Sequence, residues 1–256
     1  MMRFDVVTIF PAMFGAVAEH GITRRALEQK LFELKLWDPR SFTEDHYRRI
    51  DDRPYGGGPG MVMMPEPLQA AIDAAKAAQR AAGVEAPKVV LMSPQGEPLG
   101  EELLRKLSAE RGLVVIAGRY EGIDERLVAK SVDREVSIGD YVTSGGELPA
   151  MVLIDCLVRR IPGAMNDAGS AAQDSFSEGL LDWPHYTRPE DWKDARVPEV
   201  LLSGNHAAIA RWRRKQALGR TWHRRPDLVD EKKLSREDRQ LLEEYLREEQ
   251  ASQQQQ

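Results

Sequence analysis

Apolar residues along the first half of the chain fall into short blocks, each followed by a turn rich in Gly, Pro or Ser. Residues 4–10, Phe-Asp-Val-Val-Thr-Ile-Phe, predict a strand. Pro11 then opens a helical stretch, where its missing N–H is harmless. Residues 48–67 read as a loop, with Arg48, Arg49, Asp51, Asp52 and Arg53 ahead of Pro54-Tyr55-Gly56-Gly57-Gly58-Pro59-Gly60. The Ala-rich stretch 68–82 predicts a helix that stops at Gly83. Three strand-then-loop units follow. Residues 88–92 precede Ser93-Pro94-Gln95-Gly96, and 113–117 precede Gly118-Arg119-Tyr120-Glu121-Gly122. A weaker strand over 135–138 precedes Gly139-Asp140-Tyr141-Val142-Thr143-Ser144-Gly145-Gly146. Residues 101–111 are helical in pattern. Strands alternating with helices predict a parallel α/β sheet, and the first two runs are apolar throughout, as when both sheet faces are covered.

Residues 147–160 form the most hydrophobic helical stretch, with Pro149 in its first turn and Pro162-Gly163 beyond its end. Leu148, Met151, Val152, Leu153, Ile154, Leu157 and Val158 cover nearly its whole circumference. A helix apolar all round is buried, which suggests a subunit interface as well as an internal core. Residues 163–176 then turn to Gly, Ala, Ser, Asn and Asp, the signature of a flexible linker. This divides the chain into a first domain over 1–162, the linker, a mostly helical domain over 177–248 and a disordered Gln-rich tail over 249–256.

No apolar run approaches the ~18 residues needed to span a bilayer, and the N-terminus lacks a signal-peptide core. The single cysteine, Cys156, has no internal partner for a disulfide. Both features point to the cytoplasm. The net charge of −5 argues against a nucleic-acid partner only until its distribution is considered. Between Asn205 and Pro226 the chain carries Arg211, Arg213, Arg214, Lys215, Arg220, Arg224 and Arg225 with no Asp or Glu. Trp212, Trp222, His206 and His223 are interleaved, a mixture suited to phosphate binding and base stacking. The alternative is a solvated helix face, with Trp212 and Ile209 inward, neutralised by Asp230, Glu231, Glu237 and Asp238.

The three glycine loops read either as ordinary turns or as a ligand site beyond the carboxyl ends of parallel strands. The glycines at 56–60 fit neither a P-loop nor a dinucleotide fingerprint. The five histidines are scattered without metal-ligand spacing, so no metal site is predicted, and Cys156 reads as packing rather than a nucleophile.

Longer blocks are more specific. Asp51-Asp52-Arg53-Pro54-Tyr55-Gly56-Gly57-Gly58-Pro59-Gly60-Met61, Ser93-Pro94-Gln95-Gly96, Gly118 through Arg126, Ile138-Gly139-Asp140-Tyr141-Val142 and Ser144 through Ala150 occur in order. Gln173-Asp174-Ser175-Phe176, Pro184-His185-Tyr186-Thr187-Arg188-Pro189 and Leu201-Leu202-Ser203-Gly204-Asn205-His206 follow. Together they resemble the bacterial tRNA (guanine(37)-N(1))-methyltransferases (TrmD) over about residues 3–226. The resemblance implies a SPOUT-class α/β fold with a deep trefoil knot, and a homodimer with its active site at the subunit interface. It implies methylation of guanine 37 of tRNA with S-adenosyl-L-methionine as donor. By the same match, the donor is held by Pro94, Gly96, Gly118, Ile138, Gly139, Asp140, Tyr141, Val142, Thr143, Gly145 and Gly146. Asp174 would be the general base and Arg159 would stabilise charge on the guanine carbonyl oxygen. Arg119, Glu121, Ser203, Asn205, His206, Arg211, Arg213, Arg214, Lys215 and Arg220 are the expected substrate contacts. Without the resemblance, Asp174 reads as a solvated linker residue and Arg119 with Glu121 as a surface ion pair. Many relatives carry an acidic residue where this chain has Gln173. Magnesium is associated with the family, but no carboxylate cluster in the sequence identifies a site.

Overall fold

The computed structural model describes residues 1–165, 174–230 and 232–254. The chain divides into two compact units, Met1–Ala168 and Gly169–Gln256.

The first unit is built on a five-stranded sheet of order β2-β1-β6-β5-β7. Its strands are β1 (Met2–Val7), β2 (Phe32–Trp37), β5 (Lys88–Pro98), β6 (Gly112–Ala117) and β7 (Arg134–Ser137), and every pairing is parallel. Alternate residues of each strand feed two separate cores. Phe4, Val6, Val90, Met92, Leu113 and Val115 face one side, and Val7, Val89, Leu91, Val114 and Ile116 the other. All six residues of β6 are buried, as expected of a central strand covered on both faces.

Helix α3 (Pro65–Ala81) covers the second face with Leu68, Ala71, Ile72 and Ala75, a spacing that aligns them on one stripe. Helix α6 (Glu147–Val158) covers the first with Ala150, Leu153, Ile154 and Leu157. Helices α1 (Gly15–Ala18), α2 (Gly21–Glu28), α4 (Glu101–Ser108) and α5 (Glu125–Ser131) complete the two layers. Strands β3 (Asp51–Asp52) and β4 (Val62–Met63) form a small antiparallel hairpin. Residues 48–67 are therefore not wholly loop: the hairpin docks where Met63 N–H donates to Gly122 and Glu121 N–H to Met61.

The structure departs from the sequence reading in three further places. Strand β2 and helices α2 and α5 were not predicted. Strand β2 is an edge strand whose Glu33 and Lys35 interrupt the apolar run, so its period is visible only with β1 beside it. Helix α6 is not apolar-buried all round, because Leu148 and Val152 are about half exposed in this chain. Strand β5 continues past Met92 to Pro98, with Met92 and Glu97 both opposite Val136, so residues 93–96 bulge out of the ladder.

In the second unit, a hairpin of β8 (Asp191–Trp192) and β9 (Ala195–Arg196) comes first in the chain, then α7 (Glu199–Leu202) and α8 (His206–Arg224), which packs on α9 (Arg236–Gln253). Leu218, Leu241 and Leu242 form its core, with Trp222 against them. Gly219 permits the close helix approach, since a Cβ there would lie 2.3 Å from the Tyr245 ring. The tail predicted as disordered from 249 is helical to Gln253. Glu248 and Glu249 are anchored by Lys215 and His223 (2.7 and 2.8 Å), which extends α9 beyond its apolar residues. The linker predicted over 163–176 lies outside the described residues from 166 to 173, as does Gln173, and so do Glu231 and the last two residues of the tail.

Ion pairs bind α9 to α8, and Glu244 is their hub. It accepts from Arg211 at 2.6 Å and Lys215 at 2.9 Å, and those bonds pull its carboxyl down to about 2 from an ordinary 4.5. A depressed carboxylate contributes stability above its unfolded value and loses it as pH falls through the folded one. Stability of the helix pair is therefore expected to decline between about pH 4.5 and about 2, and less steeply in Glu244→Gln. Urea melts of the whole chain across this range, followed by tryptophan fluorescence, would measure it. Identical pH profiles for the two proteins would rule out the hub role.

Candidate functional site

Three loops leave the carboxyl ends of β5, β6 and β7 and meet. Glycine makes the meeting possible. A Cβ on Gly146 would lie 2.8 Å from Ala117 Cα, and Gly146 N–H donates to Gly118 C=O at 2.8 Å. Residues Arg119 and Gly145 form an isolated antiparallel bridge between the second and third loops. The third loop is braced internally. Ser137 Oγ donates to Gly139 C=O at 3.0 Å, Tyr141 Oη to Ile138 C=O at 3.1 Å, and Thr143 Oγ1 to Gly145 C=O at 2.8 Å. Tyr120 adopts φ +62°, a conformation unfavourable for a bulky side chain and common where a functional loop is held by its surroundings. Burial and the Asp51 carboxylate push its hydroxyl above the ordinary tyrosine value.

The loops enclose a cavity of about 390 Å³. Pro94, Gly118, Ile138, Gly139, Tyr141, Val142, Thr143, Gly145 and Gly146 line it, with Arg119 and Glu121. Two predicted cofactor residues do not. Gly96 packs against strand β7, where a Cβ would lie 2.3 Å from Val136 N, so it closes the sheet edge. Asp140 is exposed at the loop tip, because the Gly139 turn directs the chain outward there. The sequence reading missed Gln95, Tyr120 and Pro149 as lining residues; all three stand inside the quoted blocks, so position within a motif was the available signal. It also missed Glu147 and Thr8, fully buried behind Arg119.

The charges of the cavity are selective. Its lining includes the carboxylates of Glu121, Glu125 and Glu135 and, as cations, Arg119 alone. That set suits a ligand bearing positive charge better than a polyphosphate, for which one arginine among three acidic residues is poor compensation. A glycine-lined cavity with three acidic residues and one arginine fits S-adenosyl-L-methionine, which carries a sulfonium and an ammonium beside one carboxylate.

Arg159 is half-buried at the C-cap of α6. Beside it, burial pushes the Cys156 thiol above its ordinary value, against a nucleophilic role. Asp174 belongs to the second unit, where its carbonyl accepts from Ser177 N–H and Oγ. It lines a separate cavity of about 280 Å³ there, with Asp182, Trp183 and Arg213. Among the described residues no three His, Cys, Asp or Glu side chains converge as a metal site would require.

The basic segment is only partly available to an anionic partner. Arg211 pairs with Glu244, Arg214 with Asp238 and Glu178 (2.8 and 2.9 Å), and buried Lys215 with Glu244 and Glu248. These three were expected to touch substrate; in this structure they clamp α8 to α9, since acidic residues of α9 face them across the helix contact. Of the neutralising residues predicted from sequence, Asp238 takes part. Arg213 stacks over Trp183 at 4.9 Å. Arg220 and Arg224 make no ion pair among the described residues. Ser203 and Asn205 shape the entry to α8: Asn205 Oδ1 accepts from Ala208 N–H, and Ser203 Oγ from Asn205 N–H. His206 is exposed on its first turn. Trp222 is partly buried and packs against the Leu218, Leu241 and Leu242 core.

Fold and site together define a doubly wound parallel α/β protein that closes a glycine-lined, carboxylate-bearing ligand pocket beyond its strand ends. The family model for tRNA (Guanine-1)-methyltransferase TrmD matches residues 2–231, and the chain belongs to that family. It is 61% identical over 247 residues to a tRNA (guanine-N(1)-)-methyltransferase of Chromobacterium violaceum, covering 96% of this chain and 97% of that protein. It is likewise 61% identical to one of Nitrosospira multiformis (94% and 96%) and 57% to one of Burkholderia multivorans (96% and 95%). Among the described residues no helix is long and apolar enough to cross a membrane.

Proposed function

We propose that this chain methylates N(1) of guanine 37, beside the tRNA anticodon, with S-adenosyl-L-methionine as donor. The observation that carries the reading is the coincidence of the three-loop cavity with the family's sequence blocks. Pro94, Gly118, Ile138, Gly139, Tyr141, Val142, Thr143, Gly145 and Gly146 hold the donor, through backbone groups that glycine leaves accessible. When bound, the donor supplies an electrophilic methyl group.

Guanine N(1) bears a proton and is a poor nucleophile until that proton leaves. Asp174 takes it as general base. Charge then builds on the guanine carbonyl oxygen, and Arg159 offsets it. Arg119 and Glu121 orient the base from the cavity wall. His206, Arg213, Arg220 and Arg224 contact tRNA, with Ser203 and Asn205 fixing the loop ahead of them.

The first unit is read as a deep trefoil knot of the SPOUT class. The chain path supports this: from edge strand β7 it returns across β5 to bond with the β6 loop before entering α6. Exposed Leu148 and Val152 on α6 support a homodimer, since a partner would cover them.

The test is methyl transfer from labelled S-adenosyl-L-methionine to an unmodified tRNA transcript with guanine at 37, beside one with adenine there. Label on N(1) of the first transcript alone is the expected result. Equal transfer to both would overturn the target, and tight tRNA binding without transfer would favour a binding protein.

A further inference from the structure

A fully buried carboxylate stands behind the cavity wall. Glu147, the first residue of α6, is 0% exposed, and Thr8, just beyond β1, is 1% exposed. Thr8 Oγ1 donates to Glu147 Oε1 at 2.9 Å and accepts from Phe10 N–H at 3.0 Å. The other carboxylate oxygen accepts from Arg119 Nε at 2.7 Å. Three distant segments of chain thus meet at one carboxylate.

The arginine is fixed on its other sides as well. Its Nη1 donates to Ser144 C=O at 3.1 Å and its Nη2 to Met13 Sδ at 3.4 Å, and its guanidinium lies 4.5 Å from the centre of the Phe10 ring. Gly145 makes room for it, since a Cβ there would lie 2.2 Å from Arg119 Nε. Such packing immobilises a side chain that otherwise has many rotamers. A buried carboxylate is expensive to desolvate unless paired, and here each oxygen of Glu147 has a partner, one of them the cavity-wall arginine.

We propose that Glu147, seated by Thr8, is a positioning residue that holds Arg119 in the cavity wall, so that the N–H groups of Nη1 and Nη2 not taken by Ser144 and Met13 are held ready for the substrate. This rests on the reading of Arg119 as a substrate contact. Holding one guanidinium in place before the substrate arrives removes an ordering step from the transition state.

The test is a double-mutant cycle on the full-length protein with tRNA transcript and S-adenosyl-L-methionine. In Glu147→Gln the amide oxygen still receives the Thr8 hydroxyl, but its NH2 confronts Arg119 Nε–H, donor to donor. The expected result is kcat lowered ~10–100-fold, the scale of one charged hydrogen bond, with donor affinity by calorimetry nearly unchanged. Combined with Arg119→Ala, it should add little to the loss from Arg119→Ala alone, because both act through one guanidinium. Thr8→Val, which keeps shape and removes the hydroxyl, should give a smaller loss of the same kind, and Thr8→Ser should restore activity. Thr8→Val also carries the test if Glu147→Gln does not fold. Losses that add in the double variant, or donor affinity falling in step with kcat, would make Glu147 a structural residue and overturn the proposal. If Arg119→Ala itself leaves transfer unchanged, the reading of Arg119 fails, and the proposal with it.

Discussion

Asp174→Ala is expected to lower methyl transfer by ~10²–10⁴-fold, the usual contribution of a general base, and to leave S-adenosyl-L-methionine affinity nearly intact. The two effects separate because the donor cavity is lined wholly by residues of the first unit, whereas Asp174 belongs to the second. Asp174→Asn should behave like the alanine variant, since an amide keeps the shape and cannot take the proton. At alkaline pH guanine N(1) loses its proton to solvent unaided, and the deficit should narrow there. Single-turnover transfer rates across pH, with donor binding by calorimetry, would check this. A parallel loss of donor affinity, or a deficit independent of pH, would give Asp174 a structural or binding role.

Gly146→Ala is expected to remove donor binding and to lower the Tm. The conformation is ordinary (φ −79°), so strain in the backbone is not the reason. Space is the reason: the new methyl would lie 2.8 Å from Ala117 Cα, 2.9 Å from Gly118 N and 3.1 Å from Ala117 C. All three are backbone atoms of β6 and its loop, and no rotamer change can move them aside. Overpacking of this kind typically costs about 1–3 kcal/mol, and here relief would push α6 from β6 and break the Gly146–Gly118 hydrogen bond. Gly100→Ala is the control. It has no atom within 4 Å of the added methyl and sits at a helix N-cap, where the change costs about 1 kcal/mol or less. Calorimetric binding and thermal melts of both variants would decide. Normal donor affinity in Gly146→Ala would mean that the third loop is looser than its contacts indicate.

The two predictions draw differently on sequence. Asp174 is legible only through its Gln-Asp-Ser-Phe context, because a carboxylate in a polar segment has no local signature of chemistry. Gly146 was legible as part of a motif, but the reason it must be glycine lies in β6, some thirty residues earlier in the chain. The basic segment teaches the converse. Its charge was plain in the sequence, yet Arg211, Arg214 and Lys215 turn out to serve the contact with α9. Charge density along a chain says nothing about which cations have already found partners from a distant helix. Strand β2 shows the same limit for the fold, since an edge strand with alternate charges acquires its identity from the neighbour it pairs with.

Local preferences are legible along the chain: β5 and β6 from continuous apolar runs, α3 from an Ala-rich stretch, α6 from its density of apolar residues, and glycine turns at the strand ends. Those follow from side-chain size, branching and period, which act over a few residues. The strand order β2-β1-β6-β5-β7, the bulge that carries 93–96 toward the cavity, and the meeting of Thr8, Arg119 and Glu147 arise only when the chain folds. These depend on contacts between residues distant in the chain, 28 positions for Arg119 with Glu147 and 139 for Thr8 with Glu147. Their energy exists only once the sheet has brought the segments together, so no local pattern could encode it.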